Sequence, residues 1–272
     1  MPAVTYTPSG VRLTQRRQRP GDLNWLLLPG GPGIGSESLR ELADALDVPG
    51  SIWLVDLPGD GSNRSPPGAG SDPFAGWPGV VVEAAQALPN VVFAGHSTGG
   101  MYLLATPDLE QHVAGLALLD TTPDCSWHPR FVEMTEGHPL PAVEAATAVY
   151  EADRRDENIA AVAVASAEWN FTPAGVEAGR ELLARMPYNS AAVDWSDAYF
   201  DHLYRAAWWP QALPTLILAG ACDRIVWQGG WDEPRFAGAN VLRRTIPQAA
   251  HFPWIENPEA VRAAFAELAA RL

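Results

Sequence analysis

Short apolar runs bounded by turn-forming residues recur along the chain. They cover Asn24 to Leu28, Ser51 to Asp56, Asn90 to Ala94 and Gly115 to Leu119, and return at Thr215 to Ala219 and Val241 to Ile246. Each is too short for a buried helix, and all but Val241 to Ile246 are nearly continuous in hydrophobicity, which is the signature of a strand covered on both faces. Helix-compatible stretches separate the early runs, so the pattern predicts right-handed crossovers and an α/β fold with a mostly parallel central sheet and helices on both faces. Ahead of them, Val4 and Tyr6, then Val11 and Leu13, alternate about Pro8-Ser9-Gly10, which predicts a β-hairpin. At the far end Asn257 offers an N-cap, Pro258 suits the first helical position, and Val261, Phe265, Leu268 and Leu272 recur on one face of a closing helix.

Between Thr122 and Pro214 the alternation lapses, and the chain turns alanine-rich, acidic and aromatic. Helix-compatible composition over Ala142 to Arg154, Ala160 to Trp169, Pro173 to Met186 and Asp194 to Trp208 predicts an inserted helical cap, with turns at Pro139-Leu140-Pro141 and Tyr188-Asn189-Ser190. The division expected is a core of residues 1–122 and 211–272 with a cap of 123–210 between its halves. Such a lid excludes water and shapes a pocket. Trp127, Trp169, Trp195, Trp208 and Trp209 fall in or beside it. As aromatics at helical spacing they read first as core, although together with Trp227 and Trp231 they suggest an apolar pocket.

Size and charge narrow the classes of function. A chain of 272 residues is long enough for one large α/β domain with an insertion. With 18 basic against 32 acidic residues it carries a net charge of −14, which argues against a nucleic-acid or anionic-membrane surface. The cluster Arg12, Arg16, Arg17 and Arg19 reads as a solvated face. Without a leader-like or membrane-spanning apolar stretch, a cytoplasmic enzyme acting on a small molecule is expected, its oligomeric state open. Cys125 and Cys222 fall in different parts of the predicted fold, so no disulfide is expected, and Cys222 reads as a small buried apolar residue.

The chemistry gathers at Val91-Val92-Phe93-Ala94-Gly95-His96-Ser97-Thr98-Gly99-Gly100, where a strand breaks into a glycine-flanked serine before a helix. A G-x-S-x-G turn holds its serine in strained geometry at the tip of the sheet. A serine hydroxyl is a weak nucleophile, so Ser97 needs a base, an acid to orient that base, and donors for an oxyanion. His251 follows the last strand as a loop residue, and Asp223 follows Thr215 to Ala219 at the carboxyl end of its strand, where reacting groups of such sheets collect. Two rivals stand beside them. His96 adjoins the serine but reads as a packing residue beneath the turn, and Asp120 closes another apolar strand as an alternative acid.

The order Ser97, Asp223, His251 resembles that of the alpha/beta-hydrolase superfamily. The resemblance spans nearly the whole chain, because Leu26-Leu27-Leu28-Pro29-Gly30-Gly31-Pro32-Gly33 is similar to the His-Gly-Gly-Pro-Gly segment of the proline iminopeptidase branch. It implies the backbone N–H groups of Gly31 and Thr98 as an oxyanion hole. Glu168 is similar in kind to the cap glutamate that grips a substrate amine in that branch, although it reads equally as a solvated helix-face carboxylate, and Trp169 and Phe252 are the other expected pocket residues. Pro29 stands where the branch has histidine, and the turn reads Gly-His-Ser-Thr-Gly where Gly-Gly-Ser-Trp-Gly is usual. Asp56-Leu57-Pro58-Gly59-Asp60-Gly61-Ser62-Asn63-Arg64-Ser65 resembles another loop of the superfamily, in which Asp56 reads as a structural hydrogen-bonder.

The function expected is a serine hydrolase cleaving a small ester or amide through an acyl-enzyme. The same triad also serves carbon–carbon cleavage, lyase or cofactor-free oxygenase chemistry, and a non-catalytic receptor on the same scaffold is the reading from outside enzymology. No cofactor or metal is expected. Gly31-Pro32-Gly33-Ile34-Gly35-Ser36 lacks the third glycine of a dinucleotide cradle and any following Lys-Ser or Lys-Thr, and the histidines show no H-E-x-x-H spacing.

Overall fold

The computed structural model describes residues 3–272. Its strands are β1 (Val4–Tyr6), β2 (Arg12–Gln18), β3 (Asn24–Leu28), β4 (Ser51–Asp56), β5 (Val91–His96), β6 (Gly115–Leu119), β7 (Thr215–Gly220) and β8 (Val241–Ile246). They form one eight-stranded sheet in the order β1-β2-β4-β3-β5-β6-β7-β8. The first two strands are the expected hairpin, paired antiparallel with each other, and β2 is also antiparallel to β4; every other pairing is parallel. Alternate residues of each buried strand feed two cores. Trp25, Leu27, Val92, Leu216 and Leu218 pack on the face that carries the C-terminal helix Pro258–Ala269. Leu26, Leu28, Phe93 and Ile217 pack on the other with Trp77, Leu103 and Trp231.

The closing helix is capped as expected, with the Asn257 side chain accepting from Ala260 N–H at 3.2 Å and Val261, Phe265 and Leu268 buried. Leu272 departs from that stripe. It lies beyond the last turn and is exposed. Two strands run further than the apolar pattern implies: β5 continues through Gly95 and His96 to the serine itself, and β7 through Gly220, because neighbouring strands supply ladder partners for both.

Six helices lie between β6 and β7: Trp127–Gly137, Pro141–Ala152, Asp156–Ala165, Ala167–Asn170, Val176–Ala184 and Ser190–Tyr199. The apolar pattern does not predict the first, because Pro129 interrupts it; a proline in the first turn removes an N–H that has no helical partner anyway. The predicted helix over Asp194 to Trp208 instead begins at Ser190 and stops at Tyr199. Asn189 caps it by accepting from Ala191 N–H at 3.2 Å. Residues beyond it turn back to the core, where Cys125 N–H donates to Tyr204 O and Ala206 N–H to Pro123 O. Tertiary pairing has overridden helix propensity there. The tryptophans of this region act mainly as anchors. Trp195 packs on Trp77, Trp208 Nε1 donates to Leu103 O, Trp209 packs on Trp231, and of these tryptophans only Trp227 is exposed, at 43%.

The helical segment is tied to the loops at the carboxyl ends of the strands. Asn189 N–H donates to Gly33 O at 2.8 Å, Asn189 Nδ2 to Gly59 O, and Arg64 to Tyr188 O. Beneath these ties Asp56 accepts from Ser36 N–H, Ser36 Oγ and Arg12, the structural role its motif implies. Asp60 accepts from Gly33 N–H at 2.9 Å. Burial, aided by the nearby charge of Asp56, raises the Asp60 carboxyl from 3.8 to about 8. The folded state therefore holds this proton more tightly than the unfolded chain, so the contribution of Asp60 to stability is complete below pH 3.8 and is lost as pH rises toward about 8. D60N keeps an acceptor for Gly33 and cannot ionise. Melting temperatures of wild type and D60N should diverge over that window, with wild type falling relative to the variant as pH rises.

Candidate active site

Ser97 sits at the junction of β5 and the helix Thr98–Ala105 with φ 50° and ψ −125°. A non-glycine residue there carries strain of about 1–3 kcal/mol, held in place by the buried strand and helix on either side. The loop after β3 passes directly over it. A Cβ at Gly30 would lie 2.6 Å from the Ser97 Cβ, so only glycine fits that approach. In the same loop Gly31 has φ 111°, and its carbonyl accepts from Thr98 Oγ1 at 3.2 Å. That bond draws together the two segments that carry the Gly31 and Thr98 backbone N–H groups, and neither N–H finds an acceptor among the described residues.

His251 and Asp223 meet. Nδ1 of His251 lies 3.2 Å from Asp223 Oδ2, with both side chains almost fully buried. A carboxylate can only accept, so Nδ1–H donates and Nε2 is left as the basic nitrogen of the neutral ring. Asp223 is itself fixed by its loop: Oδ1 accepts from Ile225 N–H at 2.9 Å and Val226 N–H at 3.2 Å, and Oδ2 also from Gln228 Nε2 at 3.4 Å. The loops that carry Asp223 and His251 pack backbone to backbone, with Ala221 N–H donating to Ile246 O and Cys222 N–H to Ala249 O. A Cβ at Gly220 would overlap the Ala250 carbonyl, so this approach also demands glycine. Among the described residues no hydrogen bond joins Ser97 Oγ to His251; the hydroxyl, on a residue 8% exposed, has no protein partner.

His96 packs beneath the turn. Its Nε2 donates to the His251 carbonyl at 2.9 Å, and its ring lies 4.7 Å from that of His251. Burial, with the neighbouring His251, holds its pKa well below the usual imidazole range, so His96 is a neutral prop. From the other side, His251 N–H donates to Asn170 O at 3.0 Å. Asp120, at the end of β6 with φ 44°, makes no hydrogen bond to His251. Its Oδ1 accepts from Gly220 N–H at 2.8 Å, and Oδ2 is buried without a donor. Desolvation and the adjacent Asp223 charge hold its carboxyl well above the usual range. One donor atom each from Asp120, Asp223 and His251 lie within 4.8 Å of one another. That closeness was readable in principle, since both acids end strands that pair side by side.

The three expected pocket residues fare differently. Glu168 pairs with Arg180 at 2.9 Å on the exposed wall of a hollow of about 230 Å³ that Phe171, Val176 and Arg224 also line. Trp169 is buried, donating from Nε1 to His138 O and packing edge-on against Phe131. Phe252 is buried too, stacked on Phe171 and against the rings of His96 and His251, so it braces the His251 ring. A larger groove of about 570 Å³ opens beside Asp223 between Phe131, Met134, His138, Arg224 and Trp227. Cys222 is exposed, contrary to its apolar reading, because its backbone is committed to the contact with Ala249 and its side chain points outward. Cys125 is also a free thiol.

Known proteins match the chain in sequence and in fold. A pimeloyl-[acyl-carrier protein] methyl ester esterase of Xanthomonas oryzae pv. oryzae is 28% identical over 226 residues, covering 77% of this chain and 81% of that protein. A proline iminopeptidase-related protein of Thermus thermophilus superposes with a TM-score of 0.73 at 24% identity, covering 100% of this chain and 98% of the other. An alpha/beta fold family hydrolase of Bacillus anthracis str. Sterne gives 0.74 at 13% identity, covering 98% and 99%. The pattern of the alpha/beta hydrolase family matches residues 25–264, from β3 to the closing helix. This chain belongs to the alpha/beta hydrolase family, and it is a hydrolase.

Proposed function

We propose that the protein is a serine esterase that cleaves a small carboxylic ester through an acyl-enzyme on Ser97. The observation that carries this reading is the buried Asp223–His251 hydrogen bond, set at the carboxyl ends of the strands beside a serine of positive φ. In the mechanism, Ser97 Oγ attacks the ester carbonyl while His251 Nε2 takes its proton. Asp223 keeps the ring in the tautomer that leaves Nε2 basic and stabilises the imidazolium. The N–H groups of Gly31 and Thr98, free of other acceptors among the described residues, receive the oxyanion. His251 then protonates the departing alcohol, and a water activated by the same nitrogen releases the acid. The hydrogen bond from Ser97 to His251 forms when substrate closes the site, since such contacts commonly tighten in the Michaelis complex.

Residues 123–210 serve as the lid. Support comes from their ties to Gly33, Gly59 and His251, the loops that surround the serine. An ester with a small alcohol leaving group is favoured by the methyl ester esterase named among the relatives. Amine recognition of the iminopeptidase kind is disfavoured, because Glu168 already has Arg180 as its cation.

A fluorophosphonate probe should label Ser97, and S97A should lose both the label and activity on p-nitrophenyl acetate, by about 10⁴-fold or more. Folded protein that resists the probe would refute the nucleophile. Pre-steady-state mixing with p-nitrophenyl acetate should show a burst of nitrophenol equal to the enzyme concentration, whereas lyase or oxygenase chemistry on the same residues predicts none. D223N should leave binding intact and lower kcat by about 10⁴-fold through the wrong imidazole tautomer.

A further inference from the structure

We propose that Asp120 is a positioning residue for the proposed triad: a neutral carboxylic acid that donates a hydrogen bond to the Asp223 carboxylate, so that one proton is shared between the two acids behind His251. The inference rests on the reading of Asp223 and His251 as orienting acid and base, and extends it to a residue that touches no substrate.

Asp120 is fully buried at the end of β6, next in the sheet to the strand that delivers Asp223. Its Oδ1 is committed to Gly220 N–H, while Oδ2 is sealed from solvent with no donor from the protein. Within 4.8 Å lie an oxygen of Asp223 and a nitrogen of His251. Two ionised carboxylates this close, both stripped of water, repel strongly, and a buried acceptor without a donor costs about 1–3 kcal/mol. A single proton on Asp120 removes both penalties.

The proton belongs on Asp120 because the protein supplies Asp223 with Ile225 N–H, Val226 N–H, Gln228 and the imidazole, all of which favour the ionised form there. Asp120 has one N–H only. The other titratable groups facing the pair are His251 and Glu256, with His96 behind His251. Glu256 is held by Thr172 and Ala250 N–H, and its negative charge also favours the protonated form of Asp120. The left-handed backbone at Asp120, φ 44°, is a further cost accepted at this one position following β6.

The consequence is that His251 sees one negative charge, not two, and that Asp223 gains a donor besides the imidazole. D120N tests this, since its amide can accept from Gly220 and donate to Asp223 as the acid does. D120A should lower kcat on p-nitrophenyl acetate by about tenfold with KM held, and D120N should recover most of that loss. The acid limb of the pH profile of kcat/KM in D120N should coincide with that of wild type. A limb moved down by about 1 pH unit or more would mean that an ionised Asp120 had been raising the histidine, and would overturn the proposal. A loss in D120N as deep as that in D223N would make Asp120 the orienting acid and would overturn it equally. Activity lost to a chelator and restored by a divalent cation would turn the three donors into a metal site, again overturning it.

An infrared difference spectrum, wild type minus D120N at neutral pH, should contain the carbonyl stretch of a protonated acid; a carboxylate band in its place refutes the shared proton. That readout does not need turnover, so it survives even if Ser97 proves not to be a nucleophile. Should D120N fail to fold, D223N carries the test. Removal of its negative charge should make the Asp120 carboxyl titrate at lower pH than in wild type, and an unchanged midpoint overturns the proposal.

Discussion

Two loops must meet behind one imidazole, and they can do so because Gly220 has no side chain. The end of β7 runs into the Ala249 and Ala250 carbonyls, and the backbone pairs of Ala221 with Ile246 and Cys222 with Ala249 lock that approach. Asp223 is the next residue along and His251 follows Ala250, so their hydrogen bond is a by-product of how the two strand ends dock. The same contact places Gly220 N–H on Asp120 and thereby brings the second acid into the cluster. One missing methyl group thus sets the spacing of three titratable side chains.

The rest of the site is arranged so that little charge is left exposed to a low-dielectric interior. His96 is kept neutral and spends its N–H on the carbonyl of His251. Asp56 shares its charge with Arg12, and Asp60 holds a proton while accepting from the loop that crosses Ser97. The strain at Ser97 is supported by a β5 buried along its full length and by the Gly30-Gly31 crossing above it. Polar groups that carry no chemistry fix the backbone, and the backbone fixes those that do.

Much of this was legible in the residues. Continuous apolar runs betray strands covered on both faces, and their order along the chain places Ser97, Asp223 and His251 at one edge of a parallel sheet. The periodic pattern fails where tertiary contacts decide. The end of the helix at Tyr199, the extra helix at Trp127–Gly137 and the outward turn of Cys222 all depend on partners remote in sequence, such as Pro123 and Ala249. Trp169 and Phe252 illustrate the same limit. Their aromatic character marks them as buried or binding without saying which, and here Trp169 hydrogen-bonds His138 while Phe252 braces His251. The props of His251, Asn170 O and His96 Nε2, leave no signal at all in a single sequence, because any residue can offer a carbonyl and a histidine beside a serine invites a more active role.

The amide of His251 is satisfied by the carbonyl of Asn170, which belongs to a short helix of the segment lying over the sheet. A displacement of that helix would withdraw the acceptor of the His251 amide, so the seat of the imidazole is coupled to the position of Asn170 through one backbone hydrogen bond.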